Sequence, residues 1–386
     1  MSKPFKVAHF AYGLSIGGVT NILKQLVNGQ SDEVEQIVIL LSEAEEPNAD
    51  FSHIKIYSLN QSLAEEYTLK GFFKIWLNPG KYHNNVVAAI AKIYEEEKFD
   101  IFHFHGIPKD LPIGKLLKKG IPAIKLVYTD HMLRITTEEN ESIKGKMLAM
   151  LYKQFYKPYH TIFVSKTSYT TARSIGFIKE GNQHTFIENS INTSCIVQKK
   201  DYTIPRKARI VYLSRITAVK GHFLLIDVVK KILQKDESAN FEFVLIGPGE
   251  LTEKLKAAIK ENSLTDYFTF LGPRNDISEL LYTYDLAVFP SESEGLPIAL
   301  LEKMAAGLPV AASGIPGIKN VIQKQDEALL FPVNDAEACA SIILQLMGDQ
   351  KLRKDTGEAA RKAVVERYSG SLLDKYIEFY RQIRSN

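Results

Sequence analysis

Residues 285–307, DLAVFPSESEGLPIALLEKMAAG, contain the most informative pattern in the chain. The apolar run 285–291 predicts a buried strand, and the segment after the loop predicts a helix that begins at Pro297 and ends before Gly307. Proline suits the first helical turn, because its missing N–H would have no partner there. A strand followed by a loop and a helix is the repeating unit of parallel α/β sheets. Ligands of such sheets bind at the loops that follow the carboxyl ends of the strands.

The same alternation of apolar runs and helical stretches continues along the chain. Candidate strands occupy residues 5–11, 36–41, 101–106, 123–129, 161–165, 208–214, 241–247, 268–272, 285–291 and 309–313. These strands are too many for one open sheet in a chain of this length, so we predict an α/β protein with two doubly wound, Rossmann-like domains. The lysine-rich residues 198–209 predict the linker. We therefore expect an N-terminal domain at 1–198, a C-terminal domain at 199–368, and a last helix at 369–386 that packs back on the N-terminal domain.

The composition of the 386-residue chain is that of a globular protein, with 45% hydrophobic and 24% charged residues. The net charge of +3 provides no strong positive field, so we expect no nucleic-acid partner. The two cysteines, Cys195 and Cys339, lack metal-site spacing, which favours a reducing compartment. The N-terminus lacks the apolar region of a signal peptide, and no apolar run approaches the length of a membrane span. We expect a cytoplasmic protein.

One basic segment of the first domain indicates a membrane surface as a further partner. Residues 109–173 contain twelve Lys and Arg and five Asp and Glu. Within them, residues 143–159 mix lysines with Leu, Met, Phe and Tyr, as interfacial helices do. The alternative is a core-facing helix with a solvated basic side. The first interpretation predicts peripheral binding to an anionic membrane, at the inner face of the cell membrane.

The loop and helix of the opening stretch suit a phosphorylated ligand. Free N–H groups of residues 296–299 and the helix dipole favour an anion. Glu294 lies upstream of the helix and Glu302 inside it, about 10 Å apart from the rise per residue. Carboxylates accept hydroxyl hydrogen bonds, so we predict a sugar on Glu294, a diphosphate on the helix start and a ribose on Glu302. The alternative is a chance spacing of two glutamates. Predicted donor-binding residues in this stretch are Gly295, Leu296, Pro297, Ile298 and Glu302.

A second loop carries two cations. Residues 213–221, LSRITAVKG, follow the first strand of the second domain. Arg215 and Lys220 on this loop would hold a diphosphate and stabilise it as a leaving group. The alternative is a solvated basic loop.

In the first domain, glycines and histidines follow predicted strands. Gly17 and Gly18 lie in a strand-to-helix turn, where a ligand could approach the backbone closely; the alternative is an ordinary tight turn. His131 ends another strand. His103 and His105 point to one face of a strand, but no third ligand has metal-site spacing, so we expect core or site-lining histidines and no metal.

The chain resembles the retaining GT-B glycosyltransferases of family 4, also called glycosyl transferases group 1. Glu294 and Glu302 resemble the E-x7-E motif of that family, and Arg215 and Lys220 resemble its diphosphate-binding pair. Gly247 lies in FVLIGPGE (243–250), which is similar to the glycine-rich strand end of the family. Arg274 lies in the segment 270–291, which is similar to the nucleobase-side segment. Gly247 and Arg274 are therefore predicted to bind the donor.

The resemblance implies two Rossmann-like domains that face a central cleft, with the donor on the C-terminal domain and the acceptor on the first. It implies His131 beside the donor sugar, and it implies no catalytic metal and no cofactor. With Glu294, Arg215 and Lys220, His131 completes the predicted catalytic set.

The predicted reaction is retaining transfer of a hexose-type sugar from a nucleotide-sugar to a lipid-linked or saccharide acceptor, in the synthesis of surface polysaccharide or glycoconjugate. The resemblance favours a UDP-sugar, with GDP-mannose as the alternative. Two other functions remain open at this point: a nucleotide-sugar epimerase on a similar fold, and a catalytically silent subunit that binds a partner transferase.

Overall fold

The computed structural model describes residues 4–14, 18–42, 51–61, 74–75, 77–106, 110–131, 146, 150, 153–178 and 183–385. The chain divides into two compact units. The first contains residues 1–15, 19–189 and 371–386, and the second contains residues 16–18 and 190–370. The border of the two units that falls between residues 189 and 190 therefore lies before the predicted linker at 198–209. Its position follows from pairing inside the second unit, because Ile191 N donates to Tyr368 O at 2.9 Å and Lys199 N to Ala306 O at 2.8 Å.

The first unit is built on a seven-stranded parallel sheet. Its strands are β1 (Phe5–Ala11), β2 (Val34–Leu40), β3 (Lys55–Ser58), β4 (Ile101–Phe104), β5 (Lys125–Asp130), β6 (His160–Phe163) and β7 (His184–Phe186). Their order in the sheet is β3-β2-β1-β4-β5-β6-β7. The order changes direction between β1 and β4, which makes the carboxyl ends of these two strands the switch point of the sheet.

Residues 153–156 are helical, and four longer helices among the described residues connect these strands. They are α1 (Gly18–Asn28), α2 (Pro79–Glu97), α3 (Pro112–Gly120) and α4 (Lys166–Ser174). Their starts follow local rules: Ser165 caps α4 by accepting from Ser168 N, and Asn78 caps α2 by accepting from Lys81 N. Apolar side chains of the strands and helices form the buried core of the unit.

The second unit is built on a six-stranded parallel sheet. Its strands are β8 (Ala208–Leu213), β9 (Phe241–Ile246), β10 (Phe268–Gly272), β11 (Leu286–Phe289), β12 (Val310–Ser313) and β13 (Leu329–Phe331). Their order is β10-β9-β8-β11-β12-β13. The switch point therefore lies between β8 and β11.

The helices of the second unit fill the connections between its strands and follow the last of them. They are α5 (Leu224–Lys235), α6 (Thr252–Glu261), α7 (Ile277–Leu280), α8 (Ile298–Ala305), α9 (Pro316–Val321), α10 (Ala336–Gly348) and α11 (Gln350–Tyr368). One continuous apolar core joins these helices and strands. Among the described residues, no helix combines the length and the apolar character that crossing a membrane requires.

The last helix, α12 (Leu372–Ser385), is part of the first unit. Tyr380 packs edge-on against Phe5, with ring centroids 5.9 Å apart, and its hydroxyl lies 2.6 Å from Nδ1 of His103. Buried apolar residues of α12, β1 and α1 form one cluster. The first unit thus contains both the beginning and the end of the described chain.

Candidate active site

Two loops meet at the switch point of the second sheet. One follows β8 and carries Arg215 and Lys220, and the other follows β11 and carries Glu294. Glu292 N donates to Val219 O at 2.9 Å, so the two loops are joined through their backbones. The sequence prediction of two ligand-binding loops thus corresponds to one place in the sheet.

Buried Tyr212 and a glycine allow the two loops to approach. The Tyr212 hydroxyl donates to Lys220 O at 2.5 Å and lies 3.2 Å from Ser291 Oγ. Gly221 has φ +69°, and a Cβ on it would lie 2.1 Å from Pro290 O. Only glycine combines this left-handed backbone with so close a contact. Tyr212 was not among the predicted site residues.

Lys220 and Glu294 bind each other directly. Lys220 Nζ lies 2.6 Å from Glu294 Oε1, and their side chains are 18% and 10% exposed. Arg215, on the same loop, is exposed, and its guanidinium has no partner among the described residues. The sequence assigned Lys220 to a diphosphate and Glu294 to a sugar. The structure brings the two side chains together and leaves Arg215 available to an anion.

The helix that carries Glu302 begins one residue later than predicted. Pro297 has φ −78° and ψ 108°, which is extended, so it is the N-cap of α8 and Ile298 is the first helical residue. Pro297 O accepts from Leu300 N at 3.1 Å. Glu302 is half-buried on this helix. The first-turn N–H groups of α8 follow directly after the loop of Glu294.

Lys303 is a buried basic side chain that the sequence analysis missed. Its side chain is fully buried, its Nζ donates to Leu213 O at 3.2 Å, and it lies 4.5 Å from the centroid of the Phe289 ring. Burial lowers the pKa of Lys303 to about 7; Glu302 and Glu294 oppose this shift, and Lys220 adds to it. Lys303 therefore connects α8 to the carboxyl end of β8. Lysine is rarely buried, so its position in an apolar helix was the available signal.

The remaining predicted donor residues of this unit lie around the same loops. Gly247 follows β9 with φ +137°, and a Cβ on it would lie 2.3 Å from Ser214 O, so glycine lets the β9 loop pack against the loop of Arg215. Gly295 and Leu296 belong to the loop before α8. Arg274 is paired with Asp276, its Nε lying 2.7 Å from Oδ1.

In the first unit, four histidines gather near the switch point of the first sheet. His9 lies on β1 and His103 on β4, and the two are opposite each other in the strand pairing. His105 follows β4, and half-buried His131 follows β5. Ring nitrogens of His9, His103 and His105 lie within 4.8 Å of one another, so a third imidazole is present where the sequence analysis found none. The signal for His9 was its place on the neighbouring strand.

His131 contacts one member of this group. Its Nε2 lies 3.4 Å from Nδ1 of His105, and burial lowers the pKa of His131 to about 4. His131 is therefore neutral at pH 7. Gly18 begins α1, and Gly17 lies outside the described residues.

Comparisons with known proteins agree with the fold and the loops. Residues 197–363 match the family model of glycosyl transferases group 1. The chain is 26% identical to N-acetyl-alpha-D-glucosaminyl L-malate synthase of Bacillus anthracis over 78% of this chain and 79% of that protein. It is 25% identical to UDP-Gal:alpha-D-GlcNAc-diphosphoundecaprenol alpha-1,3-galactosyltransferase of Escherichia coli, over 68% of this chain and 70% of that protein.

A solved structure extends the likeness to the whole chain. The Anabaena protein Alr3699/HepE, in complex with UDP and glucose, has a TM-score of 0.75 at 19% identity, covering 98% of this chain and 99% of that one. The resemblance to glycosyl transferases group 1 is confirmed, and so is the GT-B fold with two Rossmann-like domains.

Proposed function

We propose that the chain is a retaining, metal-independent glycosyltransferase of family 4 that moves a hexose-type sugar from a nucleotide-sugar to an acceptor. The observation that carries the proposal is the 2.6 Å contact between Lys220 and Glu294, with exposed Arg215 on the loop of Lys220. These three residues lie within the segment that matches glycosyl transferases group 1, which supports the proposal.

The roles follow from charge. We assign the donor diphosphate to Arg215, Lys220 and the start of α8, because these groups would stabilise the negative charge that grows on the leaving group. An ammonium has three donors, so Lys220 can keep its bond to Glu294 and also donate to a phosphate oxygen. We assign the sugar hydroxyls to Glu294 and the ribose hydroxyls to Glu302. From the resemblance, His131 is assigned to a hydroxyl of the donor sugar.

We propose that the sugar keeps its anomeric configuration through front-face attack. The bond from the anomeric carbon to the diphosphate oxygen breaks, and the electron pair leaves with the diphosphate. The acceptor oxygen bonds to the same face of that carbon, and its proton passes to the departing phosphate oxygen. Arg215 and Lys220 stabilise the diphosphate while this charge develops, and Glu294 holds the sugar in position.

The names of similar proteins support a UDP-sugar donor. The Escherichia coli relative is named for UDP-Gal and for a diphosphoundecaprenol-linked acceptor, and the Anabaena neighbour is described with UDP and glucose. We propose a UDP-sugar for this chain, with GDP-mannose as the alternative, and a lipid-linked or saccharide acceptor in surface polysaccharide or glycoconjugate synthesis.

A lipid-linked acceptor would suit the peripheral membrane contact predicted from residues 143–159. Eight of the seventeen residues in this segment lie outside the described residues; in the described part Phe155, Tyr156 and Tyr159 are buried, which favours the alternative of a core-facing helix with a solvated basic side. The membrane contact stays a proposal, as does the cytoplasmic location. Co-sedimentation with anionic and neutral vesicles tests it. We expect binding to the anionic vesicles alone; equal binding to both, or binding to neither, would reject the membrane contact.

The proposed activity is tested in two steps. A thermal-shift panel of UDP-, GDP- and ADP-sugars identifies the donor, since a ligand that binds only the folded state raises the melting temperature. The stabilising donor is then incubated with lipid-linked and saccharide acceptors, and products are followed by mass spectrometry and NMR. We expect an α-linked product from an α-linked donor. Conversion of the donor into an epimer without an acceptor would contradict transfer, and binding without turnover of any acceptor would favour a silent subunit.

A further inference from the structure

A continuous line of hydrogen bonds crosses the first sheet and ends at His131. Gln36 Nε2 donates to Leu26 O at 2.8 Å, and Gln36 Oε1 lies 2.9 Å from Nε2 of His9. Nδ1 of His9 lies 3.0 Å from Nε2 of His105. Nδ1 of His105 lies 3.4 Å from Nε2 of His131. Nδ1 of His131 has no hydrogen-bond partner within the described part of the chain, so the line has one open end.

The hydrogen bond from Gln36 Nε2 to Leu26 O sets the donor-to-acceptor direction of all the other hydrogen bonds in the line. Leu26 O is one of the last carbonyls of α1, which have no partner inside a helix, so it is available to Gln36. Because the amide nitrogen of Gln36 is used there, its oxygen faces His9, and a carbonyl oxygen only accepts. The Nε2 atom of His9 must therefore carry the proton.

A neutral imidazole has one N–H and one lone pair, so a ring that donates through one nitrogen must accept through the other. Nδ1 of His9 accepts from Nε2–H of His105. Nδ1 of His105 then accepts from Nε2–H of His131. The remaining nitrogen, Nδ1 of His131, is left as an acceptor. Reversing the line would bring the lone pair of His9 Nε2 against the oxygen of Gln36.

Burial keeps these rings neutral, so each ring has one N–H and one lone pair. Burial lowers the pKa of His9 to about 4, against a smaller opposite effect of Gln36. Burial, and then the neighbouring histidines, hold the pKa of His105 well below its usual range. Asp130, which precedes His131 in the chain, accepts from the Tyr156 hydroxyl at 2.7 Å.

A metal ion is the competing use of the same imidazoles. Zinc bound to His9, His103 and His105 would need one lone pair from each ring. The nitrogens of His103 already face Thr129 Oγ1 at 2.8 Å and the Tyr380 hydroxyl at 2.6 Å. Both nitrogens of His9 and both of His105 are used in the line of hydrogen bonds. A metal would have to break several of these contacts, so the geometry favours the hydrogen-bonded arrangement.

We propose that Gln36, His9 and His105 form a tautomer relay that fixes His131 as the Nε2–H tautomer and leaves its Nδ1 as the acceptor for a hydroxyl of the donor sugar. The sugar in this statement rests on the proposed function, whereas the tautomer does not. Gln36, His9 and His105 are positioning residues. An Nδ1 acceptor selects ligands that present a hydroxyl at this point and rejects those that present a bare oxygen.

The tautomer is tested first in the full chain without substrate. Selective ¹⁵N labelling of the imidazoles, followed by long-range ¹H–¹⁵N spectroscopy, reports which nitrogen of each of the nine histidines carries the proton. We expect the Nε2–H pattern for His9, His105 and His131. An Nδ1–H pattern at His105 or His131 would overturn the relay. One equivalent of zinc that survives dialysis and shifts these rings would overturn it in favour of a metal site.

The variant Gln36→Met tests whether the direction comes from Gln36. Without the amide oxygen, both directions of the line have equal numbers of histidine bonds, so we expect a mixed tautomer pattern at His131. We also expect about a tenfold loss in kcat/KM for the donor, the scale of one lost hydrogen bond.

The matched control is Gln183→Met. Gln183 donates to Lys157 O at 2.9 Å and to Tyr159 O at 3.0 Å, away from the histidines. We expect it to alter the melting temperature without altering the His131 pattern or kcat/KM. An unchanged His131 pattern in Gln36→Met would overturn the relay. A mixed pattern with unchanged kcat/KM would overturn the role given to Nδ1. Failure of the proposed function, seen as no turnover in the wild type, would leave the tautomer result standing.

Discussion

At the switch point of the second sheet the polar side chains carry opposite charges, whereas near that of the first sheet they are neutral imidazoles. Lys220 and Glu294 are paired and keep 18% and 10% of their side chains exposed. His9 and His103 are 0% exposed and bind neutral partners. Charge is retained where water or an opposite charge remains in reach, and complete burial favours the neutral form. The two sheets thus offer different chemistry at corresponding positions.

The largest effect is expected from removing a charge at the second sheet. Arg215→Ala and Lys220→Ala should each lower kcat by about 10² to 10³, the scale for removing one group that stabilises transition-state charge. Steady-state kinetics measure this loss. Lys230→Ala, a surface lysine of α5 that is 43% exposed, is the control and should keep the wild-type rate. Near-normal kcat in both site variants would contradict the charged site.

Substitution of Glu294 and of Glu302 should change different kinetic constants. Glu294→Gln should lower kcat by at least about tenfold, because contacts to the reacting sugar strengthen in the transition state. Glu302→Gln should raise the donor KM by about the same factor with little change in kcat, because the ribose does not change during the reaction. Glu292→Gln, at an exposed position in the same loop, is the control. An unaltered kcat in Glu294→Gln would place the sugar elsewhere.

Lys303 lies beside the charged site but is fully buried like the histidines. It therefore tests whether complete burial favours the neutral form at the second sheet as well. Its pKa is about 7 in the folded chain, below the ordinary value of 10.5. Between these two pH values the unfolded chain holds more protons, so stability rises with pH. Lys303→Met removes this contribution. The free energy of unfolding of the variant, relative to wild type, should therefore fall by about 2 to 4 kcal/mol from pH 7 to pH 10.

Urea unfolding at pH 7, 8, 9 and 10 measures this difference. Lys230→Met is the control, and its difference from wild type should stay constant across the same range. A constant difference for Lys303→Met would mean that Lys303 keeps its charge when buried, and it would remove the likeness between Lys303 and the histidines.

The smallest effect is expected from chelation. The three-ligand group found among the described residues is His9, His103 and His105, in the first unit, whereas the loops assigned to the diphosphate under the proposed function are in the second. Excess EDTA should therefore leave transfer unchanged within error. Activity that is lost and then restored only by Mg²⁺ or Mn²⁺ would contradict this expectation and would require a metal at the diphosphate.

The parts of the structure that local sequence pattern determines were predictable. The buried strands and the alternation with helices predicted both parallel sheets. The strands β3, β7 and β13 were missed, because they have three or four residues and are partly exposed, which weakens the apolar pattern.

The site was predictable as a set of residues and unpredictable as a set of contacts. The spacing of Glu294 and Glu302, and the resemblance, identified the loops. The contact between Lys220 and Glu294 depends on β8 lying beside β11, and this strand order cannot be predicted from the loop sequences. Likewise, His9 faces His103 through strand register, and Lys303 is recognisable as buried only after α8 is packed.

The position of α12 has a consequence for the order in which the chain matures during synthesis. Apart from residues 16–18, the second unit is the uninterrupted segment 190–370, and its apolar core lies within that segment, so this core can form as soon as the segment has left the ribosome. The first unit is synthesised earlier but completes its packing later. Phe5 packs against Tyr380, and His103 is hydrogen-bonded to the Tyr380 hydroxyl, so both contacts form only after α12 has been synthesised. Until α12 arrives, the apolar surface that it will cover on β1 and α1 stays open to chaperones. A ribosome stalled before residue 371 should therefore display a protease-resistant second unit beside a protease-sensitive first one.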